Sequence, residues 1–217
     1  MNGDLFEHDT RAEPRTEALA PGALLLRGFA LPASARLLDA LPALLTTSPW
    51  RHLVTPGGRT MSVAMTNCGP LGWVSDRRGY RYAALDPLSN APWPPLPTPF
   101  LVLARAAAEA AGFTDFTPSA CLINRYAPGT RLSLHQDRDE LDLRQPIVSV
   151  SLGLPAVFLF GGLSRSDKPR RVALRHGDVV VWGGPSRLAF HGVMPVAEGV
   201  HDATGTCRIN LTFRRAA

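Results

Sequence analysis

Short runs of β-branched and aromatic residues, separated by turn residues, dominate the chain from residue 120 onward. Pairs such as Pro128-Gly129 and Gly161-Gly162 lie between several of the runs, and such pairs mark tight turns. Eight strands so closely spaced favour a sandwich or barrel, because an alternating βαβ fold would need helices between its strands. We therefore predict a jelly roll, with strands over 120–127, 131–137, 147–154, 156–160, 170–176, 179–182, 188–193 and 207–214.

Two helical patterns precede this region. Ser34 can cap a helix that runs to residue 45 with its leucines on one face, and Pro42 would kink it. The second helix has Thr98 as its cap, Pro99 at the first helical position, an alanine-rich body over 100–111 and Gly112 as its end. Both helices should pack outside the strands, so the predicted fold class is mainly β with flanking helices, an α+β arrangement.

Residues 50–97 combine aromatic side chains with arginines, and prolines and glycines are frequent among them. A long irregular segment ahead of a rigid barrel is typical of a lid or recognition loop. Aromatic rings can stack on nucleic-acid bases, and arginines can neutralise phosphates. The alternative is a solvated loop that covers one face of a sheet.

Composition narrows the class of protein. The chain has 217 residues, 45% of them apolar and 19% charged, which excludes wholesale disorder. Its net charge is +5, and Lys168 is the only lysine among 23 basic residues. An anionic partner and an arginine-rich genome both explain such a bias. The excess positive charge falls within 51–100 and 161–217, so position carries more information than the total.

The three cysteines, Cys68, Cys121 and Cys207, are too few and too scattered for a disulfide framework. The first 15 residues are polar and acidic, without the apolar core of a signal peptide. No apolar run approaches the ~18 to 20 residues that a membrane helix needs. We expect a cytoplasmic protein that does not insert into a membrane.

Two histidines and an aspartate form a candidate metal site. His135 and Asp137 share one face of a predicted strand because side chains alternate with a period of two. His191 lies in another predicted strand. Two imidazoles and one carboxylate on adjacent strands suit non-haem Fe(II), leaving coordination positions open. His-x-Asp also arises by chance, and a single strand histidine is often structural, so these residues alone leave both interpretations open.

Polar faces on three predicted strands point to an anion pocket. The last strand carries a polar face opposite Ile209, Leu211 and Phe213; it consists of Arg208, Asn210, Thr212 and Arg214. Asn124 and Tyr126 share a face of an earlier strand, and a further strand carries the polar face Arg131, Ser133, His135 and Asp137. Converging faces of this kind would line a cationic pocket for a dicarboxylate, bound through bidentate arginine contacts. An ordinary solvated face is the alternative.

These motifs together resemble one enzyme family. Asn124-Arg125-Tyr126, His135-Gln136-Asp137, His191 and Arg208-x-Asn210-x-Thr212-x-Arg214 are similar to the Fe(II)- and 2-oxoglutarate-dependent dioxygenases, in particular to the AlkB family of alkylation-repair demethylases. The stretches 61–68, 121–129 and 176–184 resemble the bacterial members of that family. The resemblance covers nearly the whole chain after about residue 20. It implies a double-stranded β-helix core over 118–217, a segment of helices, strands and nucleotide-recognition lid over 20–117 and a flexible N-terminus over 1–19, in one structural domain.

The resemblance also implies residue roles. His135, Asp137 and His191 would bind iron and carry the catalysis. Arg214, Tyr126 and Asn210 would bind the distal carboxylate of 2-oxoglutarate, and Arg208 and Asn124 would support the end that chelates the metal. Trp73 would stack on the damaged base opposite His135, and Asp139 would meet the exocyclic amino group of that base. The remaining substrate contacts would come from Tyr80, which would reach a phosphate, Arg81, Tyr82 and Arg165.

The implied activity is oxidative demethylation of alkylated DNA bases such as 1-methyladenine and 3-methylcytosine, with single- or double-stranded DNA and also RNA as candidate substrates. The cofactors would be Fe(II), with 2-oxoglutarate and O₂ as cosubstrates, and the products succinate, CO₂ and formaldehyde. A monomer is expected. Two alternatives stay open: a dioxygenase of the same fold that acts on a protein or small molecule, and a non-catalytic nucleic-acid-binding barrel.

Overall fold

The structure is a computed structural model that describes residues 15–217. Antiparallel strands make up most of its regular structure. In chain order the elements are β1 (Thr16–Ala20), β2 (Ala23–Leu26), α1 (Ser34–Asp39), α2 (Leu41–Thr47), β3 (Ala64–Cys68), β4 (Gly72–Asp76), β5 (Gly79–Ala83), α3 (Thr98–Ala110), β6 (Ala120–Tyr126), β7 (Leu132–His135), β8 (Ile147–Gly153), β9 (Ala156–Phe160), β10 (Arg170–Leu174), β11 (Val179–Trp182), β12 (His191–Val193) and β13 (Arg208–Arg214).

Two facing sheets and a separate hairpin contain all of these strands. The large sheet has seven strands in the order β1-β2-β11-β8-β13-β6-β3, and the small sheet has four in the order β10-β9-β12-β7. Strands β6 to β13 alternate between the sheets except for the β9–β10 hairpin, which lies within the small sheet, as expected when eight antiparallel strands wind into a jelly roll. All eight strands predicted after residue 120 are present, and the predicted double-stranded β-helix with flanking helices is confirmed.

Helices cover the outer face of the large sheet. Alternate residues of β13, namely Ile209, Leu211 and Phe213, lie in a core cluster with Phe100 and Leu103 of α3. The ring of Phe100 meets that of Phe213 edge to face at 5.9 Å between centroids. Because side chains alternate along a strand, the polar residues of β13 must face the other sheet. The period-two pattern therefore produces an apolar outer layer and a polar inner surface.

The segment before α3 differs from its prediction. The expected helix over 34–45 is two short helices, α1 and α2, that meet at Ala40, with Pro42 in the first turn of α2. Ser34 does not cap α1, because its hydroxyl donates to the carbonyl of Leu31 at 2.9 Å. A proline nitrogen has no hydrogen to donate and its ring crowds the preceding turn, which accounts for the break. Thr98 is the first residue of α3 and makes no capping hydrogen bond.

The lid segment contains three strands that its irregular composition concealed. β3 pairs with β6 at the edge of the large sheet, whereas β4 and β5 form the separate hairpin. In the predicted flexible N-terminus, residues 1–14 lie outside the described part of the chain, and Thr16–Ala20 forms β1, paired with β2. None of the helices between residues 15 and 217 is long and apolar enough to cross a membrane.

Candidate metal centre and substrate pocket

The small sheet brings the three predicted metal ligands together. His135 ends β7 and His191 begins β12, and the two residues are direct partners across these neighbouring strands. Asp137 follows two residues after His135, and its carboxylate lies beside both imidazole rings. His135 Nε2 lies 3.7 Å from Asp137 Oδ1, and His191 Nε2 lies 3.7 Å from Asp137 Oδ2. The three donor atoms lie within 4.8 Å of one another, as ligands of one ion must.

Backbone carbonyls orient both imidazoles. Nδ1 of His135 is 2.8 Å from the carbonyl oxygen of Ser133, and Nδ1 of His191 is 3.0 Å from that of Ala189. Only a protonated Nδ1 can donate to a carbonyl, so the lone pair of each neutral ring is on Nε2, facing Asp137. Burial and the neighbouring His135 lower the pKa of His191 to about 4. The ring is therefore neutral, the form that binds a metal, at physiological pH.

Asp137 is held as an anion beside Arg214. Burial raises the pKa of this carboxyl, but Arg214 and the two imidazoles outweigh burial and hold the pKa below its ordinary value. Arg214 Nε donates to Asp137 Oδ2 at 2.8 Å, and its Nη2 donates to the same oxygen. Two neutral nitrogens and one carboxylate oxygen suit a borderline divalent metal such as Fe(II). The donor set therefore fits the predicted iron site.

A buried acidic residue that the sequence analysis missed contacts the two arginines that hydrogen-bond to Asp137. Glu140 accepts hydrogen bonds from Tyr82 Oη at 2.6 Å and from Arg187 Nη2 at 2.9 Å, and lies 3.4 Å from Arg214 Nε. Arg187 also donates to the backbone carbonyl of Asp137 at 2.7 Å. The sequence analysis selected Asp139 and not the adjacent Glu140, because the local sequence does not show which of two neighbouring carboxylates faces the interior.

The predicted anion pocket lies between the sheets, lined by the polar face of β13 and by Asn124 and Tyr126 of β6. Arg208 is 1% exposed, and its guanidinium lies 5.1 Å from the centre of the Tyr126 ring. Its Nη2 donates to Ser151 Oγ at 2.9 Å, while Nε and Nη1 have no hydrogen-bond partner among residues 15–217. Buried donors without partners are costly, so this geometry fits a bound carboxylate. The alternative of a solvated polar face is thereby excluded.

The two arginines of β13 have different neighbours in the structure, and the contacts with 2-oxoglutarate that were predicted for them stay a prediction. Arg214 was expected at the distal carboxylate of 2-oxoglutarate, yet it is bonded to the candidate metal ligand Asp137. Arg208 was expected near the metal, yet it lies six residues away along the strand, beside Tyr126. A strand rises about 3.3 Å per residue, so the two guanidinium groups belong to different ends of the pocket.

Asn210 lies between Arg208 and Arg214 on β13, and its side-chain amide is already hydrogen-bonded. Its Nδ2 donates to Ser149 Oγ at 2.9 Å and to the carbonyl of Val150 at 2.8 Å, while its Oδ1 accepts from Thr212 Oγ1 at 2.9 Å. Ser149 and Ser151 were missed in the sequence. Their signal was the polar period of two inside the otherwise apolar β8.

The β4–β5 hairpin places an aromatic pair at the mouth of the pocket. The Trp73 and Tyr80 rings stack at 5.5 Å between centroids with 12° between planes. Trp73 Nε1 donates to Asp139 Oδ2 at 2.8 Å, which joins two predicted substrate residues. Both Trp73 and Tyr80 line the cavity together with Asp139, and 46% of Tyr80 is exposed.

Two predicted substrate residues of the hairpin do not line this cavity. Arg81 makes a bidentate pair with Asp76, with Nη1–Oδ1 and Nη2–Oδ2 distances of 3.0 and 2.8 Å. Tyr82 points inward to Glu140. Alternation along β5 places Arg81 on the opposite face from Tyr80 and Tyr82. The two tyrosines share a face, but Tyr80 lines the cavity and Tyr82 contacts the buried Glu140.

The cavity itself has a volume of about 840 Å³ and extends from the metal site to a basic rim. Arg165, which was predicted to contact the substrate, belongs to the lining of this cavity, and its guanidinium lies 5.8 Å from the centre of the Phe190 ring. The other arginines of the rim are Arg59, Arg131 and Arg138. A cavity of this size accommodates a small dicarboxylate and a flipped base together, and its rim suits an anionic polymer.

Both the sequence and the fold of this chain match known proteins. The sequence pattern of the 2OG-Fe(II) oxygenase superfamily matches residues 22–214. The alpha-ketoglutarate-dependent dioxygenase AlkB of Salmonella typhimurium is 61% identical over 214 residues, which cover 99% of this chain and 98% of that protein. The tRNA demethylase abh1 of Schizosaccharomyces pombe is 45% identical over 85 residues, covering 39% of this chain and 28% of the relative. The solved structure of OsALKBH1 superposes with a TM-score of 0.82 at 30% identity, covering 93% of this chain and all of that one.

Proposed function

Since the chain belongs to the 2OG-Fe(II) oxygenase superfamily, we propose that it removes methyl groups oxidatively from alkylated nucleic-acid bases. It is a dioxygenase that depends on Fe(II), 2-oxoglutarate and O₂. The extensive identity to an AlkB dioxygenase and the partial identity to a tRNA demethylase support nucleic acid as its substrate. The observation that carries the proposal is the joining of a His-Asp-His ligand set to an aromatic and basic pocket in one cavity.

His135, Asp137 and His191 would hold the iron. When bound, Fe(II) supplies the chemistry by which 2-oxoglutarate and O₂ give succinate and CO₂ while one oxygen atom enters a C–H bond of the methyl group. The Ser133 and Ala189 carbonyls would hold a proton on Nδ1 of each ring, so that Nε2 is left for the metal, and Arg214 fixes the carboxylate of Asp137.

For the cosubstrate, we assign Arg208 and Tyr126 to the distal carboxylate. The unpartnered Nε and Nη1 of Arg208 would donate to it, and burial raises the pKa of Tyr126 to about 12, so the phenol remains a donor. Arg214 would act at the metal end by orienting Asp137. Asn124 and Asn210 would line the space between.

For the substrate, Trp73 would stack on the damaged base and Asp139 would accept from its exocyclic amino group. A base on an aromatic side chain contributes about 1–3 kcal/mol of binding. Methylated bases such as 1-methyladenine and 3-methylcytosine are cationic and poorly paired, so extruding them costs less than extruding an intact base. Tyr80 and Arg165 at the rim would contact the flanking nucleotide, with Arg81 and Tyr82 supporting the hairpin.

The hydroxylated methyl group is a hemiaminal, which collapses to formaldehyde and the repaired base. DNA is the proposed main substrate and RNA a second one. A monomer is the proposed working unit. A cytoplasmic location is proposed from the free cysteines, which suit a reducing compartment.

The test is formaldehyde release from methylated oligonucleotides, with and without 2-oxoglutarate. Asp137→Asn should abolish turnover, whereas Asp39→Asn, a matched change on the exposed side of α1, should not alter it. Full activity of Asp137→Asn would remove the ligand assignment. Faster turnover of a protein or a free nucleoside than of the oligonucleotide would favour a different substrate class. Binding of DNA with no product and no Fe(II) binding would identify a non-catalytic barrel.

A further inference from the structure

Two histidines outside the cavity stack on each other. His176 lies in the turn between β10 and β11, and His201 lies in the connection between β12 and β13. Their ring centroids are 4.5 Å apart, with 33° between planes. His176 Nδ1 accepts from the backbone N–H of Gly153 at 2.9 Å, and His201 Nδ1 accepts from that of Ala203 at 3.1 Å.

These bonds specify the protonation of both rings. A nitrogen that accepts an N–H carries no proton, so each neutral ring has its proton on Nε2 and offers no second lone pair to a metal. This is the opposite tautomer to that of His135 and His191. A protonated ring would have a hydrogen on Nδ1 and could no longer accept from the backbone. The pair is therefore an arrangement for neutral imidazoles.

His176 is linked to the cosubstrate pocket through the end of β8. Its turn makes two further bonds to that strand: Gly177 N–H donates to the carbonyl of Ser151 at 2.8 Å, and Ser151 N–H donates to that of Asp178 at 2.9 Å. Ser151 Oγ accepts from Arg208, and Gly153 is the direct partner of Arg208 across the β8–β13 ladder. Movement at Gly153 therefore displaces the support of Arg208.

The end of β8 has little room for adjustment. Gly153 has a φ of +84°, a backbone conformation that residues with a side chain rarely adopt, and a Cβ at this position would lie 2.0 Å from Thr204 Oγ1. Two charged or titratable groups act on His176. Burial lowers its pKa first, a charge on His201 lowers it further, and Asp178 raises it. Asp178 is itself occupied by Arg27 and by the backbone N–H groups of Gly28 and Arg175.

We propose that His176 is a positioning residue for 2-oxoglutarate, whose neutral imidazole holds the end of β8, and with it Arg208, until acid protonates the ring and releases it. The inference rests on the proposed function, since it assigns Arg208 to the cosubstrate. It makes cosubstrate affinity sensitive to pH through a residue that touches neither iron nor substrate.

The decisive variant is His176→Asn, whose Oδ1 accepts near the position of Nδ1 but does not titrate. KM for 2-oxoglutarate and kcat are measured between about pH 5.5 and 8, the range over which a histidine changes charge. In the unmodified protein KM should rise about three- to tenfold toward acid, the equivalent of one neutral hydrogen bond, with a smaller change in kcat. In His176→Asn the KM should stay near its value at about pH 8 throughout.

Two further variants complete the set. His201→Asn keeps an acceptor for the Ala203 N–H, and His201 makes no hydrogen bond to β8 within residues 15–217, so the acid rise in KM should persist in this variant. His176→Phe removes the acceptor and should show a raised KM at every pH. The unmodified protein and the Asn variants share one iron site, so their ratio cancels protonation of the metal ligands.

Calorimetric titration of 2-oxoglutarate into the Mn(II)-loaded protein gives the same comparison without turnover. An identical pH profile for the unmodified protein and His176→Asn would overturn the proposal, even if His176→Phe failed to fold. Loss of the pH dependence in His201→Asn alone would overturn it as well. Normal 2-oxoglutarate binding with no demethylation would instead contradict the proposed function.

Discussion

Exchanging each arginine of β13 for lysine separates the two ends of the cosubstrate pocket. Arg208 would meet the distal carboxylate through two unpartnered nitrogens, whereas Arg214 holds Asp137 through Nε and Nη2. Lysine keeps the positive charge but presents a single point donor, so each R→K change removes bidentate geometry at one site only.

The size of each effect follows from the contacts that are lost. Hydrogen bonds to charged groups contribute about 1.5–3 kcal/mol, and about 1.4 kcal/mol is a factor of ten, so Arg208→Lys should raise KM for 2-oxoglutarate about 10- to 150-fold. Arg214→Lys disturbs a group that orients a metal ligand, for which losses of about 10- to 100-fold in metal affinity are usual. Its KM for 2-oxoglutarate at saturating iron should change little.

The assay combines two titrations. Uncoupled decarboxylation gives KM for 2-oxoglutarate at saturating Fe(II), and the visible charge-transfer band of the anaerobic complex gives the apparent iron affinity at saturating 2-oxoglutarate. Arg171→Lys, an exposed arginine on β10, is the matched control and should leave both values unchanged. The assignment is refuted if Arg214→Lys raises KM for 2-oxoglutarate more than Arg208→Lys does.

The remaining predictions concern the aromatic mouth and the metal-free state. Trp73→Ala should weaken binding of a methylated oligonucleotide by about 1–3 kcal/mol, measured by fluorescence anisotropy, and leave uncoupled decarboxylation intact; equal loss of both would make Trp73 a structural residue. In the metal-free protein, the pKa of His191 is about 4, below its ordinary value, so the neutral ring stabilises the fold above about pH 6.5 and this contribution is lost as the pH falls toward that pKa. The free energy of unfolding, from urea titrations, should therefore fall with acid less steeply in His191→Gln than in the unmodified protein, and equal slopes would contradict the shift.

The sequence predicted those features that depend on a local period. The alternation of β13 separated Ile209, Leu211 and Phe213 from the polar pocket face, and the structure confirms both faces. The jelly-roll strands were found because each run ended at a turn. In contrast, β3 is buried along its whole length, and β4 and β5, which form the separate hairpin, combine buried, half-buried and exposed residues, so none of the three shows a clear period of two.

The sequence also did not show how far along β13 the metal site lies. Arg208 and Arg214 share a face, so both belong in the pocket, but alternation does not show which one reaches the metal. That depends on the loop after β7, which brings Asp137 to the Arg214 end of β13. Glu140 escaped prediction for the same reason, since its partners Tyr82 and Arg187 are far apart in sequence.

The division of the site between the two sheets has a consequence for how activity relates to folding. The candidate metal ligands lie in or directly after strands of the small sheet, β7 and β12, whereas the proposed cosubstrate residue Arg208 lies on β13 in the large one. Neither sheet alone carries a complete reaction centre. A chain in which only one sheet has formed would therefore lack either the candidate metal ligands or the proposed cosubstrate arginine, so we expect turnover of 2-oxoglutarate to appear only when both sheets are folded.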